Sequence, residues 1–209
     1  MTIDMENLVE SIMKSLERIP DIPLSDIPGI DLYMDQLTTF MDEKLAHTTR
    51  YPGEDKVLTK TMINNYAKND LLPPPVRKKY SKDHLILLIF IYYYKNILSI
   101  NDIQALIEPL KKRFHISDTE ELTLSDIYTE ICTLEKSLLD PIQEDIRIKA
   151  DKAEHSFADA PEEYRDRMKL FSFISMLSYD VYIKKLLIEK LIDGFREEQD
   201  PKPRRRKGN

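Results

Sequence analysis

Apolar residues recur at helical spacing along most of this chain, and the interruptions are prolines, glycines and capping residues. From about Glu6 to Ile19 the positions Leu8, Ile12, Leu16 and Ile19 share one face, before Pro20, Pro23 and Pro28 break the chain into an extended connector. A second helix is predicted from Asp31 to about Leu45, with Leu32, Leu37, Phe40, Met41 and Leu45 inward, ending before the turn Tyr51-Pro52-Gly53. Thr59 can cap a third helix through about Asn69, which Pro73, Pro74 and Pro75 prevent from continuing. Ser81 opens an apolar helix from Lys82 to Leu98. Ser99 or Asn101 opens the next, with Ile103, Leu106, Ile107 and Leu110 on one side.

The second half has longer periods. Between Ser125 and Ala153 the residues Ile127, Ile131, Leu134, Leu138, Ile142, Ile146, Ala150 and Ala153 recur every three or four positions, interrupted by Pro141. A last helix from about Pro161 to Asp193 carries Met168, Phe171, Ile174, Leu177, Val181, Ile188 and Leu191, and Gly194 can terminate it. Two long amphipathic helices in succession predict a helical hairpin. Beyond Gln199 the chain is polar and is predicted to be a disordered basic tail.

Composition narrows the class. The chain has 209 residues, 42 % of them hydrophobic, with only 4 glycines, so folds that need glycine-rich phosphate loops or many left-handed turns are disfavoured and a mainly helical protein is expected. Cys132 is the sole cysteine, which excludes an internal disulfide, and the four histidines show no zinc-ligand spacing. The start, Met1 to Glu6, is acidic where an export signal is basic and then apolar. The longest apolar run, Leu85 to Tyr94, is half of what a bilayer crossing needs. A cytoplasmic protein without membrane contact is expected.

The net charge of −6 is unevenly distributed. Between Lys56 and Lys82 the basic residues Lys56, Lys60, Lys68, Arg77, Lys78, Lys79 and Lys82 face one acid, Asp70. The end of the chain adds Lys202, Arg204, Arg205, Arg206 and Lys207. Two basic islands therefore sit on an acidic body. In the first, with Thr59 as cap, Met62, Ile63 and Tyr66 turn inward while Lys60, Thr61, Asn64, Asn65 and Lys68 look outward. That outer face combines cations for phosphate with amides for base edges. Asn can pair bidentately with adenine, Thr can meet the thymine methyl, and Lys can reach guanine or phosphate.

The stretch Thr59 to Leu110 reads T-x-x-x-I-x-x-Y-x-x-x-x-L-L-P-P-P, then K-K-Y-S-K-D-H-L, I-F-I and L-S-I-N-D-I-Q-A-L-I. It resembles the MerR-type winged helix-turn-helix, in which a capped recognition helix ends in a leucine-proline turn and a wing follows. The chain through Leu110 is more closely similar to an uncharacterised bacterial domain-of-unknown-function family built around this MerR-like module. Against the MerR pattern, Asn64, Asn65 and Tyr66 stand where Arg-Tyr-Tyr is usual, and Asp70 stands where glycine precedes the leucine pair. The wing between Pro75 and Tyr80 is several residues shorter and lacks a Gly-Tyr-Arg tip, and an insertion from about Ala46 to Val57 separates the first two helices of the motif.

The resemblance implies a helical arm over residues 1–23, a helix-turn-helix DNA-binding domain over 24–116, a helical domain over 117–198 and the basic tail over 199–209. The expected function is sequence-specific binding of double-stranded DNA by a transcriptional regulator. The contacts come from Lys60, Thr61, Asn64, Asn65 and Lys68 and from Arg77, Lys78 and Lys79 in the wing. The chain pairs as a homodimer through the C-terminal helices, Ser125 to Phe195. About six neutralised phosphates give a slope of log affinity against log salt near −5. The alternative is a protein-interaction or adaptor module on the same scaffold. A weaker third reading is a small-molecule sensor with a pocket in the helical half. No cofactor, metal or catalytic group is expected, since Glu162, Glu163 and Asp166 are spaced like a solvated helix face. His155 with Asp151 and Glu154 lacks further ligands.

Overall fold

The structure is a computed structural model that describes residues 5–16, 22–51, 53–113 and 122–199. It is mainly helical, in the order α1 (Met5–Leu16), β1 (Leu32–Tyr33), α2 (Met34–Leu45), α3 (Lys60–Lys68), β2 (Lys79–Tyr80), α4 (Lys82–Tyr94), α5 (Ile100–Lys111), α6 (Leu124–Ser137), α7 (Leu139–Glu154) and α8 (Glu162–Gln199). The chain divides into two compact units, one of residues 24–127 with 185–209, the other of residues 1–23 with 128–184. Expectations for Ile19 and Pro20, for residues 114–116 and for the tail beyond Gln199 fall outside the described residues.

In the first unit α4 is the centre. Leu85 to Tyr92 are all buried, as a helix apolar on every side must be in a water-soluble environment. Ser81 and His84 close its N-terminus, the Ser81 N–H donating to His84 Nδ1 at 2.9 Å. The helix stops at Tyr94, four residues before the predicted Leu98, where Lys95 donates from Nζ to the Val57 carbonyl at 2.7 Å and lies 4.7 Å from the Tyr92 ring. Burial holds the Lys95 ammonium below its usual pKa. The hydroxyls of Thr48 and Tyr92 are hydrogen-bonded as well, so the insertion before α3 is pinned to the end of α4. On α5, Ser99 is the cap, and Ile103 and Ile107 are buried on the predicted face.

The predicted start of the second helix needs correction. Leu32 and Tyr33 are extended and pair antiparallel with β2, Leu32 opposite Tyr80 and Tyr33 opposite Lys79. Leu32 satisfies a helical and a strand pattern equally, and the partner strand that decides between them lies far along the chain. The helix begins at Met34, with the Tyr33 N–H donating to Gln36 Oε1 at 2.9 Å.

In the second unit α1 packs on α7, and Leu8, Val9, Ile146, Leu170, Met176 and Leu177 surround a small core of Ala150, Ala153 and Phe173. Tyr128 fastens the connector by donating to the Ile22 carbonyl at 2.7 Å. The antiparallel turn from α7 into α8 is clamped by Ser156 and Ser172, whose hydroxyls lie 2.8 Å apart, and by Lys169 paired with Glu154.

Two expectations for this half change. The helical run predicted between Ser125 and Ala153 is two helices broken at Leu138. Pro141 lies inside the first turn of α7, where an absent N–H removes no helix bond. Gly194 does not end α8, which runs through it to Gln199. Along the apolar stripe of α8, Phe171, Ile174, Val181 and Leu191 are exposed, whereas Phe173 and Ile192, outside that stripe, are buried. Leu134, Leu138 and Ile142 are exposed too. Among the described residues no helix is long and apolar enough to cross a membrane.

Candidate nucleic-acid interface

Helix α3 is nine residues long, too short to persist alone, and its ends explain why it holds. At the start Thr59 is extended, and its Oγ1 accepts the Met62 N–H at 3.2 Å, satisfying one of the orphan donors of the first turn. Ile63 and Tyr66 are buried beneath it. Burial raises the Tyr66 hydroxyl above its usual pKa and keeps it neutral.

At the end Asp70 adopts φ 56°, the left-handed conformation that usually falls to glycine. The Leu71 N–H then donates to the Tyr66 carbonyl at 2.9 Å and the Asp70 N–H to the Ala67 carbonyl at 3.3 Å, a Schellman closure that turns Leu71 and Leu72 into the core. Lys111 compensates the non-glycine residue, donating from Nζ to both the carbonyl and the carboxylate of Asp70 at 2.8 Å. Burial pulls the Lys111 pKa down, but its hydrogen bonds and charge pairing with Asp70 and Glu108 outweigh this and raise it.

The outer face carries the predicted groups. Thr61, Asn64, Asn65 and Lys68 are exposed, at helical spacings of three and four that set them on one side. None of their side chains makes a hydrogen bond or ion pair to another described residue. Lys60 is exposed but differs from its expected state, because its ammonium is paired with the Asp35 carboxylate from the first turn of α2.

The predicted wing is a two-residue turn. Val76 and Lys79 exchange two backbone hydrogen bonds, 3.1 and 2.9 Å, and the residues at the tip, Arg77 and Lys78, have φ 50° and 64°. Such a turn is the province of glycine and asparagine. Two long cationic side chains in the left-handed region cost roughly 1–2 kcal/mol each. Both are exposed and make no hydrogen bond or ion pair to another described residue. Lys79, the third predicted cation, lies 5.1 Å from the Tyr33 ring as a cation–π contact. Tyr80 meets His84 edge-on at 5.3 Å. Lys60 on Asp35 and Lys79 on Tyr33 therefore meet at the start of α2, so strand β1 ties the hairpin to α3.

Sequence reasoning misses Tyr33, Asp35 and Lys111 because each acts on a partner remote in the chain, and no local spacing marks them. His155 caps α7, its Nδ1 2.8 Å from the Asp151 carbonyl, and no group of three metal-ligating side chains occurs among the described residues.

Residues 22–131 match a family described as a domain of unknown function, DUF1836. Neither the curated proteins nor the solved structures give a match. Because the matched region spans more than half of the sequence and contains β1 through α5 together with the face just described, the chain belongs to the DUF1836 family.

Proposed function

We propose that this protein is a sequence-specific binder of double-stranded DNA and a transcriptional regulator of MerR-like winged helix-turn-helix type. Helix α3 enters the major groove and the hairpin Val76–Lys79 serves as a short wing. One observation carries the reading: Thr61, Asn64, Asn65 and Lys68 stand together, exposed and unengaged, on a helix whose other face is fixed by burial. Pre-ordered amides without intramolecular partners are what base-edge recognition requires, since no internal bond must be broken on binding. The tip supports it, because Arg77 and Lys78 are held at φ values their side chains disfavour and extend cations to solvent. Backbone contacts fall to Lys68, Arg77 and Lys78, the cations free of internal partners. The slope of log affinity against log salt is then about −3 for one chain and −5 for two.

The test is selection of bound fragments from random duplex DNA, followed by titration of the recovered site at several salt concentrations. Replacement of Asn64 and Asn65 by alanine should cost about 1–3 kcal/mol at the selected site and little on random duplex. Recovery of no preferred sequence, together with a salt slope near zero, overturns the proposal.

A further inference from the structure

When a helix such as α3 lies in the major groove, its N-terminal residues come closest to the base edges. Lys60 is the first residue of α3 and shares a side of it with Asn64, one turn on. Its ammonium is paired with Oδ1 of Asp35 from the first turn of α2, and the two side chains are 60 and 77 % exposed. Among the described residues Oδ2 of Asp35 has no partner, and neither do the remaining ammonium hydrogens of Lys60. An ion pair this exposed adds little to stability. It is also badly suited to a phosphate, because the acid cancels the cation and repels the polyanion. Each partner is nonetheless held in place, α2 by buried Leu37, Phe40 and Met41 and α3 by buried Ile63 and Tyr66. A donor and an acceptor therefore stand side by side, in fixed order, at the reading end of the helix.

We infer that Lys60 and Asp35 act as one unit that reads a single G·C base pair. The ammonium donates to N7 and O6 of guanine, and Oδ2 of Asp35 accepts from the N4 amino group of cytosine. The major-groove edge of G·C presents acceptor, acceptor and donor in that order. Guanine O6 and cytosine N4 are hydrogen-bonded to each other across the base pair, so they lie about as far apart as an ion-paired oxygen and nitrogen. The unit meets that edge with complementary groups at every point. An A·T pair in the same place sets the adenine amino group against the ammonium and thymine O4 against the carboxylate, and C·G reverses the order. Asp35 thus gives discrimination at the expense of attraction, since it opposes the phosphates of every sequence and finds a donor only where cytosine is correctly placed. The inference rests on the DNA reading and names one base pair of the site that reading requires.

The test selects sites from random duplex DNA with the wild-type chain and with Asp35→Asn, then measures both chains on the wild-type site with each base pair varied in turn. At one position the wild type should prefer G·C over A·T by about 10-fold. Asp35→Asn should reduce that preference to about 2-fold, leave the preferences read by Asn64 and Asn65 intact, and bind random duplex more tightly. Replacing the cytosine of that pair by pyrimidin-2-one, which lacks the amino group, should weaken the wild type several-fold more than Asp35→Asn. A purely structural ion pair would instead move every sequence alike. A selected site whose preferences Asp35→Asn leaves unchanged, or shifts uniformly, overturns the inference and leaves the DNA reading standing. Recovery of no preferred sequence by the wild type overturns both.

Discussion

Helices α4 and α8 both carry many large apolar side chains, and these end in opposite environments. Leu85 to Tyr92 disappear into the first unit on every side, whereas α8 buries Phe173 on one side and leaves Phe171, Ile174 and Val181 to solvent on the other. The difference lies in what surrounds each helix. Helix α4 is walled in by β2, α5 and the segment before α3, tied down by Lys95 on Val57 and by Thr48 on Tyr92. Residues 162–184 of α8 share a unit with α7, whose side chains reach a single face of them. Hydrophobic content therefore predicts that a helix will be covered, and leaves open whether its own chain supplies the cover.

The largest expected effect breaks or upholds this contrast directly. Leu88→Ala in α4 should cost about 2.7–5 kcal/mol in urea unfolding, by loss of burial and opening of a cavity. Ile174→Ala, at an exposed position of α8, should stay within about 0.5 kcal/mol. Similar losses at both positions would mean that α8 is enclosed within one chain.

The hairpin tip gives the next effect, with two signs. Arg77→Gly combined with Lys78→Gly should raise stability by about 1 kcal/mol or more, since glycine accepts the positive φ values 50° and 64° without strain. The same substitutions should weaken DNA binding and flatten the salt slope by about 2 per chain. A loss of stability instead would show that the turn depends on contacts of those side chains.

The third concerns pH. Hydrogen bonds from Ser99 hold the Asp102 carboxyl below its usual pKa, against the opposing effect of burial, and the Arg196 guanidinium, whose Nη2 lies 2.8 Å from Oδ1, adds to the depression. A carboxylate with a depressed folded pKa stabilises the fold fully above its unfolded value and loses that contribution as pH falls through the folded one. The unfolding midpoint should therefore drop below about pH 4, more steeply in the wild type than in Asp102→Asn, which should lose about 1 kcal/mol at neutral pH with the α5 cap. Equal pH profiles for the two chains would remove Asp102 as a stabilising group.

The smallest effect tests the one predicted contact that the structure alters. Asp35→Asn frees the Lys60 ammonium and should leave stability within about 1 kcal/mol, because both groups of the pair are exposed. On duplex DNA it should tighten binding and steepen the salt slope by about 0.9. An unchanged slope would mean that Lys60 contacts no phosphate.

Much of the first unit was legible in local signals. Thr59, Ser81 and Ser99 mark helix starts because a side-chain oxygen near an orphan N–H acts within one turn, and the spacing of Ile63 and Tyr66 assigns the inner face of α3 without reference to anything else. The second half was read less well for a physical reason. A stripe such as Phe171, Ile174, Val181 and Leu191 records that a face must be covered, and Pro141 or Gly194 records only a local tolerance. Neither states whether the cover is intramolecular or where a neighbouring helix has room to turn.

The amino-acid order by itself determined the helical character, the capped and proline-stopped α3, the exposure of its amides and the asymmetric placement of positive charge. These depend on interactions within a few residues. Tertiary structure alone decided that Leu32 and Tyr33 pair with a distant strand, that Asp35 occupies Lys60, that Lys111 secures the left-handed Asp70, and which face of α8 the chain leaves open. Each joins residues far apart in sequence, and only the closed path of the chain fixes such distances.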